Sequence, residues 1–182
     1  MDLRSIALEL GGKGLNVLPL TPGTKRPLGD WGKYQTTVYD GSFDAFNGGF
    51  GVVSGRISGG LVIFDIDGGK TVFSQFCRGV LEIKKDVLED VVVERSPSKG
   101  FHIVYRCPDL PEISPKVWSK NGQVQIELRG DRQFTVISPT RGYQLLRGDW
   151  TSLPTKTTLE HELFVSIASK FGEGPVEREG PT

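Results

Sequence analysis

The most strongly patterned segment of the chain is Leu61–Asp67, an apolar run that ends in two acids. Apolar residues without alternation predict a strand covered on both faces, and the acids mark where that strand reaches a site. Shorter runs predict strands at Asn16–Leu20, Phe50–Ser54, Val91–Arg95 and Phe101–Arg106. Val124–Arg129 and Phe134–Ser138 are expected to pair as neighbours across Gly130–Gln133. Leu3, Ile6, Ala7 and Leu10 recur at helical spacing, which predicts a short helix over 2–10 ended by Gly11, Gly12 and Gly14. Further helices are expected over Lys70–Cys77, over 81–89 and over 158–171, followed by a disordered Gly/Pro/Glu-rich tail over 172–182. Helices and strands do not alternate strictly, so the expected class is α+β, with a mostly antiparallel central sheet and flanking helices. The expected organisation is one domain over 1–171, with an N-terminal αβ lobe over 1–60, a core over 61–150 and the C-terminal helix.

Three of these strands carry chemistry. Asp65 and Asp67 stand at i and i+2, so their carboxylates share one face and repel unless a cation lies between them. Gln125, Glu127 and Arg129 likewise share a face, and Glu127 would add a third carboxylate to a two-metal ligand set of the kind used in phosphoryl chemistry. In isolation, the same residues would read as a solvated acidic strand end and a surface Glu–Arg pair. His102 follows the loop Ser96–Gly100, whose hydroxyls, glycine and Lys99 could present donors to phosphates.

Composition narrows the classes. With 37% hydrophobic and 24% charged residues the chain is ordinary globular protein, which excludes a coiled coil, a collagen-like fibre and a disordered polar chain. Twenty-two basic residues balance twenty-two acidic ones, which argues against a non-specific nucleic-acid coat protein but allows a local nucleic-acid patch. Cys77 and Cys107, with two scattered histidines, make no metal-ligand spacing; reduced, largely buried thiols are expected, and no zinc. No run approaches the ~20 apolar residues of a membrane span. The first ten residues lack a signal-peptide layout, so the cytoplasm is the expected compartment and no membrane partner is expected.

Two familiar motifs match the residues only in part. Gly68–Thr71 ends like a phosphate-binding P-loop, but Phe64 stands where its first glycine is required. Residues 62–69 resemble the nucleophile strand of haloacid-dehalogenase-type phosphatases, yet Gly69 replaces the usual Thr, and residues 129–135 lack the second Asp of that family's later acidic motif.

A third resemblance spans more of the chain. Ala7-Leu8, Gly14–Val17, Pro19-Leu20, Pro22-Gly23, Lys25 and Pro27 form an opening block. Gly51–Gly55, Ser58-Gly59 and Leu61–Asp67 form a second, Ser96–His102 a third, and Glu127–Asp131 with Pro139 and Thr140 a fourth. In order and spacing, residues 5–150 resemble the prim–pol domain of the archaeo-eukaryotic primase superfamily, the bifunctional DNA primase/polymerases of plasmids, phages and integrated elements.

That resemblance implies an RRM-like catalytic core and template-directed nucleotidyl transfer on single-stranded DNA, with NTP or dNTP as substrate. It implies two Mg²⁺ or Mn²⁺ ions on Asp65, Asp67 and Glu127. Ser96, Ser98, Lys99, Gly100 and His102 would position the phosphates, and Arg129 would offset developing charge. Lys25, Arg26, Lys116 and Lys120 are candidate DNA contacts. A helicase or a small helical domain, fused or associated, is an expected companion. The alternatives are the phosphatase and a non-catalytic nucleotide- or DNA-binding module. The sequence departs from the family where Pro97 and Lys99 replace glycines, where Glu127 replaces the commoner Asp, and where Arg132-Gln133 replace a Gly-Gly turn. The helix expected before Gly51 is also reduced to Phe43–Phe46.

Overall fold

A computed structural model describes residues 2–173 and 176–177. The fold is α+β, with two antiparallel sheets and three α-helices among the described residues. Helix α1 (Leu3–Gly12) starts at Asp2, whose carboxylate accepts the Ser5 N–H at 2.7 Å. Strands β1 (Asn16–Pro19) and β2 (Phe50–Val53) follow, then β3 (Leu61–Ile66) and helix α2 (Gly69–Ile83). The chain continues through β4 (Val92–Arg95), β5 (Phe101–Arg106), β6 (Lys116–Lys120), β7 (Gln123–Arg129), β8 (Phe134–Val136) and β9 (Gln144–Arg147). Helix α3 (Thr158–Ala168) carries a complete capping box between Thr157 and Glu160, and β10 (Val176–Glu177) comes last.

The large sheet has the order β10-β6-β7-β3-β5-β4-β9, and the small one β1-β2-β8. The apolar character of β3 follows from its central position. Val62, Phe64 and Ile66 face α2 and α3, packing with Phe76, Val80, Phe164 and Ile167. Leu61 and Ile63 point the other way, into a second core with Ala7 and Leu10 of α1 and Phe50 and Val52 of β2. Asp65 is next on that second face, where the cover of the small sheet gives way to a cleft lined by Phe134, Thr135 and Val136 of β8. One strand therefore has two covered faces along most of its length and a polar group where one cover ends.

Several expectations are corrected. Phe134–Val136 does not pair with β7; it joins β2 in the small sheet, so the sheet begun by β1 and β2 is completed by a strand from beyond residue 130. The turn between them explains the divergence. Asp131 accepts the N–H of Arg56 at 2.7 Å and of Ile113 at 3.0 Å, and Gly130 lies so close to the Ile113 carbonyl that a Cβ would stand 2.0 Å from it. The partner of β7 is instead β6, through a two-residue turn at Asn121-Gly122 with φ of 52° and 73°. Both positive angles match the hairpin turn whose twist suits antiparallel strands. Helix α2 runs unbroken to Ile83, so 81–89 is its last turn followed by turns rather than a separate helix. The tail expected to be disordered lies partly outside the described residues, but within it Val176–Glu177 pairs with β6. Cys77 is half-buried and Cys107 buried, both as free thiols. No helix among the described residues is long and apolar enough to cross a membrane.

Candidate active site

Strand register assembles a transverse row of ionisable side chains on the face away from the helices. Glu94 of β4 pairs with His102 of β5, His102 with Asp65 of β3, and Asp65 with Glu127 of β7. Directly paired residues point to the same side of a sheet, so the four groups share one face. Arg129 is two residues along from Glu127 and joins them. Asp67 lies just past the end of β3 and is exposed, while Asp65, Glu94, His102 and Glu127 are buried.

The contacts along the row are specific. His102 Nδ1 is 2.7 Å from Glu94 Oε1, and its Nε2 is 3.4 Å from Asp65 Oδ1. Arg129 Nη2 bridges Asp65 Oδ2 at 3.2 Å and Glu127 Oε2 at 2.8 Å. Glu94 Oε2 accepts the Ser138 N–H at 3.0 Å and the Trp150 indole N–H at 3.1 Å. Burial alone would raise the Asp65 pKa, but His102 and Arg129 outweigh it and hold the carboxyl below its ordinary value. Burial would lower the His102 pKa, yet the hydrogen bonds to Asp65 and Glu94 raise it to about 9. Asp67 is raised to about 6, by desolvation first and then by the charges of Asp65 and Glu127.

A cleft of about 250 Å³ opens over this row. Its walls bring together Lys25, Asp65, Asp67, Ser96, Ser98, His102 and Arg129, closed by Phe134–Val136 and Tyr143. Two buried polar atoms of these walls, Arg129 Nε and Thr135 Oγ1, make no hydrogen bond. The loop between β4 and β5 is a tight hydrogen-bonded turn. Ser96 N–H donates to the Gly100 carbonyl at 3.0 Å, Gly100 N–H to Ser96 Oγ at 3.1 Å, and Ser96 Oγ meets Ser98 Oγ at 3.0 Å. Lys99 adopts φ 67°, the conformation in which glycine is at ease. Arg132 likewise has φ 62°. Gly100 is fixed by space: a Cβ there would stand 2.8 Å from the Ile66 carbonyl.

The remaining sequence candidates fall apart from this centre. Lys99 is exposed and does not line the cleft, and Arg26 is exposed in the loop next to Lys25. Lys116 pairs with Leu128, which packs in the helix-side core, so it stands on the face opposite the carboxylates. Lys120 pairs with Gln123, roughly 13 Å along β7 from Glu127 at strand rise. Sequence reading missed Glu94, Tyr143 and the Phe134–Val136 wall. Glu94 carried a usable signal, a buried acid directly after three valines, in the register that meets His102.

Among the described residues, no three His, Cys, Asp or Glu side chains are arranged to hold a metal ion as they stand. The donor set nonetheless fits a hard divalent cation in kind, since three carboxylates meet on one face and a guanidinium already stands between two of them as a cation.

A family model for the N-terminal domain of bifunctional DNA primase/polymerases matches residues 7–157. The chain belongs to the bifunctional DNA primase/polymerase family. Among curated proteins, none matches it closely enough to count as a relative. Family membership implies a nucleotidyltransferase-type activity with DNA and nucleotides as substrates. The prim–pol match covers every strand of the carboxylate row and both walls of the cleft.

Proposed function

We propose that the chain synthesises or extends primers on single-stranded DNA by template-directed nucleotidyl transfer, in the replication of a plasmid, phage or other mobile element. The observation that carries this reading is the registered row Glu94–His102–Asp65–Glu127 beside Asp67 and Arg129, within a prim–pol chain. Asp65, Asp67 and Glu127 would hold two Mg²⁺ or Mn²⁺ ions. When bound, these ions supply a lowered pKa for the attacking 3′-hydroxyl and compensation for the charge of the triphosphate.

The chain's own residues do the rest. The crowding that raises Asp67 is relieved when cations share the carboxylates. Arg129, whose guanidinium neutralises Asp65 and Glu127 beforehand, turns its donors to the phosphates and offsets charge as it develops. His102 faces the cleft with Nε2, and the Ser96 and Ser98 hydroxyls orient the triphosphate. Lys25 adds a cation at the cleft wall, where template or primer enters. Positioning and electrostatics suffice, so no nucleophilic side chain is needed.

The test supplies a primed single-stranded template, nucleotides and either metal. Extension by wild type, with loss of at least about a hundredfold in Asp65→Ala, is expected. No extension with either metal, or full activity in an Asp65→Ala/Asp67→Ala variant, overturns the reading. Phosphate release from a phosphomonoester without template would favour the phosphatase; nucleotide binding without turnover would favour a binding module.

A further inference from the structure

Lys25, Val136 and Tyr143 belong to two cavities at once: the carboxylate cleft and a neighbouring pocket of about 410 Å³. The second pocket has a different chemistry. Leu20, Pro97, Val136 and the Tyr143 ring give it apolar walls, Lys25 and Arg141 give it two exposed cations, and no acidic side chain lines it. Its walls are held in place from outside. Phe50 N–H donates to Thr140 Oγ1 at 2.9 Å, and that hydroxyl donates to the Phe50 carbonyl at 2.9 Å. Tyr143 N–H donates to the Thr140 carbonyl at 2.9 Å, closing a turn whose Gly142, at φ 90°, lies against Pro97. Lys25 rides on an equally tight loop, in which Thr21 N–H donates to the Arg26 carbonyl at 2.8 Å and Thr24 Oγ1 to the Thr21 carbonyl at 2.9 Å. Two preformed loops thus present a ring and an ammonium together, the ammonium 6.0 Å from the ring centroid.

We propose that this pocket seats one unpaired nucleotide of the template strand, its base against the Tyr143 ring and its backbone phosphates on Lys25 and Arg141. The proposal rests on the reading of the chain as an enzyme that works on single-stranded DNA. An aromatic platform beside cations that meet the backbone holds a single strand without regard to its sequence. The incoming nucleotide suits the pocket less well: its triphosphate is accounted for at the carboxylate cleft, and its sugar and base carry no charge for two further cations to meet. A primer end suits it less well too, because its bases are already paired. Since Lys25 and Tyr143 wall both cavities, a template nucleotide seated here adjoins the carboxylate row.

The experiment measures binding of a short fluorescent oligo-dT, without metal or nucleotide and across a salt series, to wild type, Tyr143→Ala, Tyr143→Phe, Lys25→Met and Arg141→Met. Tyr143→Ala is expected to weaken binding at least about fivefold, the loss of one stacked base, with Tyr143→Phe close to wild type. The alanine variant is expected to change nothing with an abasic oligomer of equal length, which keeps the phosphates and lacks the bases, or with a blunt duplex. Lys25→Met and Arg141→Met are each expected to flatten the log–log salt dependence by about 0.7 on both single-stranded oligomers. A Tyr143 that only shapes the fold would weaken binding of both oligomers alike. Photocrosslinking of wild type to an oligomer carrying iododeoxyuridine, mapped by peptide mass, is expected at Tyr143 and needs no variant to fold. Equal loss on the two oligomers, an unchanged salt slope in both cation variants, no oligo-dT binding by wild type, or a crosslink only elsewhere overturns the proposal. So does loss of the Tyr143 crosslink when a nucleoside triphosphate is added, which would give the pocket to the incoming nucleotide. A chain that binds oligo-dT as expected yet extends no primer fails the polymerase reading alone, whereas one that extends primers while Tyr143→Ala keeps wild-type strand affinity fails this proposal alone.

Discussion

Arg129 stands between Asp65 and Glu127, one guanidinium nitrogen lying 3.2 Å from the first carboxylate and 2.8 Å from the second. It thereby occupies, with a single positive charge, the ground between two carboxylates proposed to bind metal. Arg129→Ala is therefore expected to bind Mn²⁺ more tightly than wild type while extending primers at least about tenfold more slowly. Isothermal titration with Mn²⁺ alone, beside the extension assay, reads the two effects separately. Equal or weaker Mn²⁺ binding by the variant would contradict competition by the guanidinium.

The two raised pKa values give opposite variants opposite signs. Asp67 titrates at about 6 in the fold against an ordinary 3.8, so folding favours its neutral form. That contribution is present below about 3.8 and lost as pH rises through about 6. Asp67→Asn should thus stabilise the metal-free chain at pH 7 and have little effect at pH 3.5. His102, at about 9 against 6.5, contributes stability that is complete below 6.5 and lost as pH rises through about 9. His102→Gln should cost more at pH 6 than at pH 10. Thermal melts across this range check both signs.

Phe64 anchors the helix-side core. It is fully buried and its ring meets those of Phe76, Tyr105, Trp118 and Phe164. Phe64→Ala should lose about 3–5 kcal/mol in denaturant unfolding, from the same strand that carries Asp65.

Arg132 bears a side chain at φ 62°, which costs a non-glycine residue about 1–2 kcal/mol. Glycine relieves that strain but loses more entropy on folding, so Arg132→Gly should gain about 0.5–1 kcal/mol. Denaturant midpoints at unchanged slope would show it.

Much of the site was legible in residues. The apolar run of β3 announced its central place, and Asp65, Asp67, His102, Glu127 and Arg129 all meet at the cleft or directly behind it. Pairing was less legible, because it depends on turns. The Asn121-Gly122 dipeptide is a strong hairpin signal and would have given β6 as the partner of β7. The crossing of β8 to the small sheet rests on Asp131 gripping two distant N–H groups, which no local pattern reveals. Lys116 and Lys120 were named for charge alone, and charge does not say which face of a strand a lysine takes.

The neutral net charge also acquires a shape. Basic residues exceed acidic ones over 91–150, which holds the phosphate loop and Arg129, and acids exceed bases over 61–90. Metal-free chain is expected to grip single-stranded DNA weakly, with affinity falling as salt rises. Tight, salt-insensitive binding in a fluorescence titration would contradict this.

The most direct measurement is anomalous diffraction from crystals soaked with Mn²⁺ and a nucleoside triphosphate. The expected result is manganese peaks among the carboxylates of Asp65, Asp67 and Glu127, with Arg129 turned to the phosphates and His102 Nε2 within hydrogen-bond distance of a phosphate oxygen. Nucleotide bound with no manganese at these three acids, or manganese bound elsewhere, would contradict a two-metal nucleotidyl-transfer site.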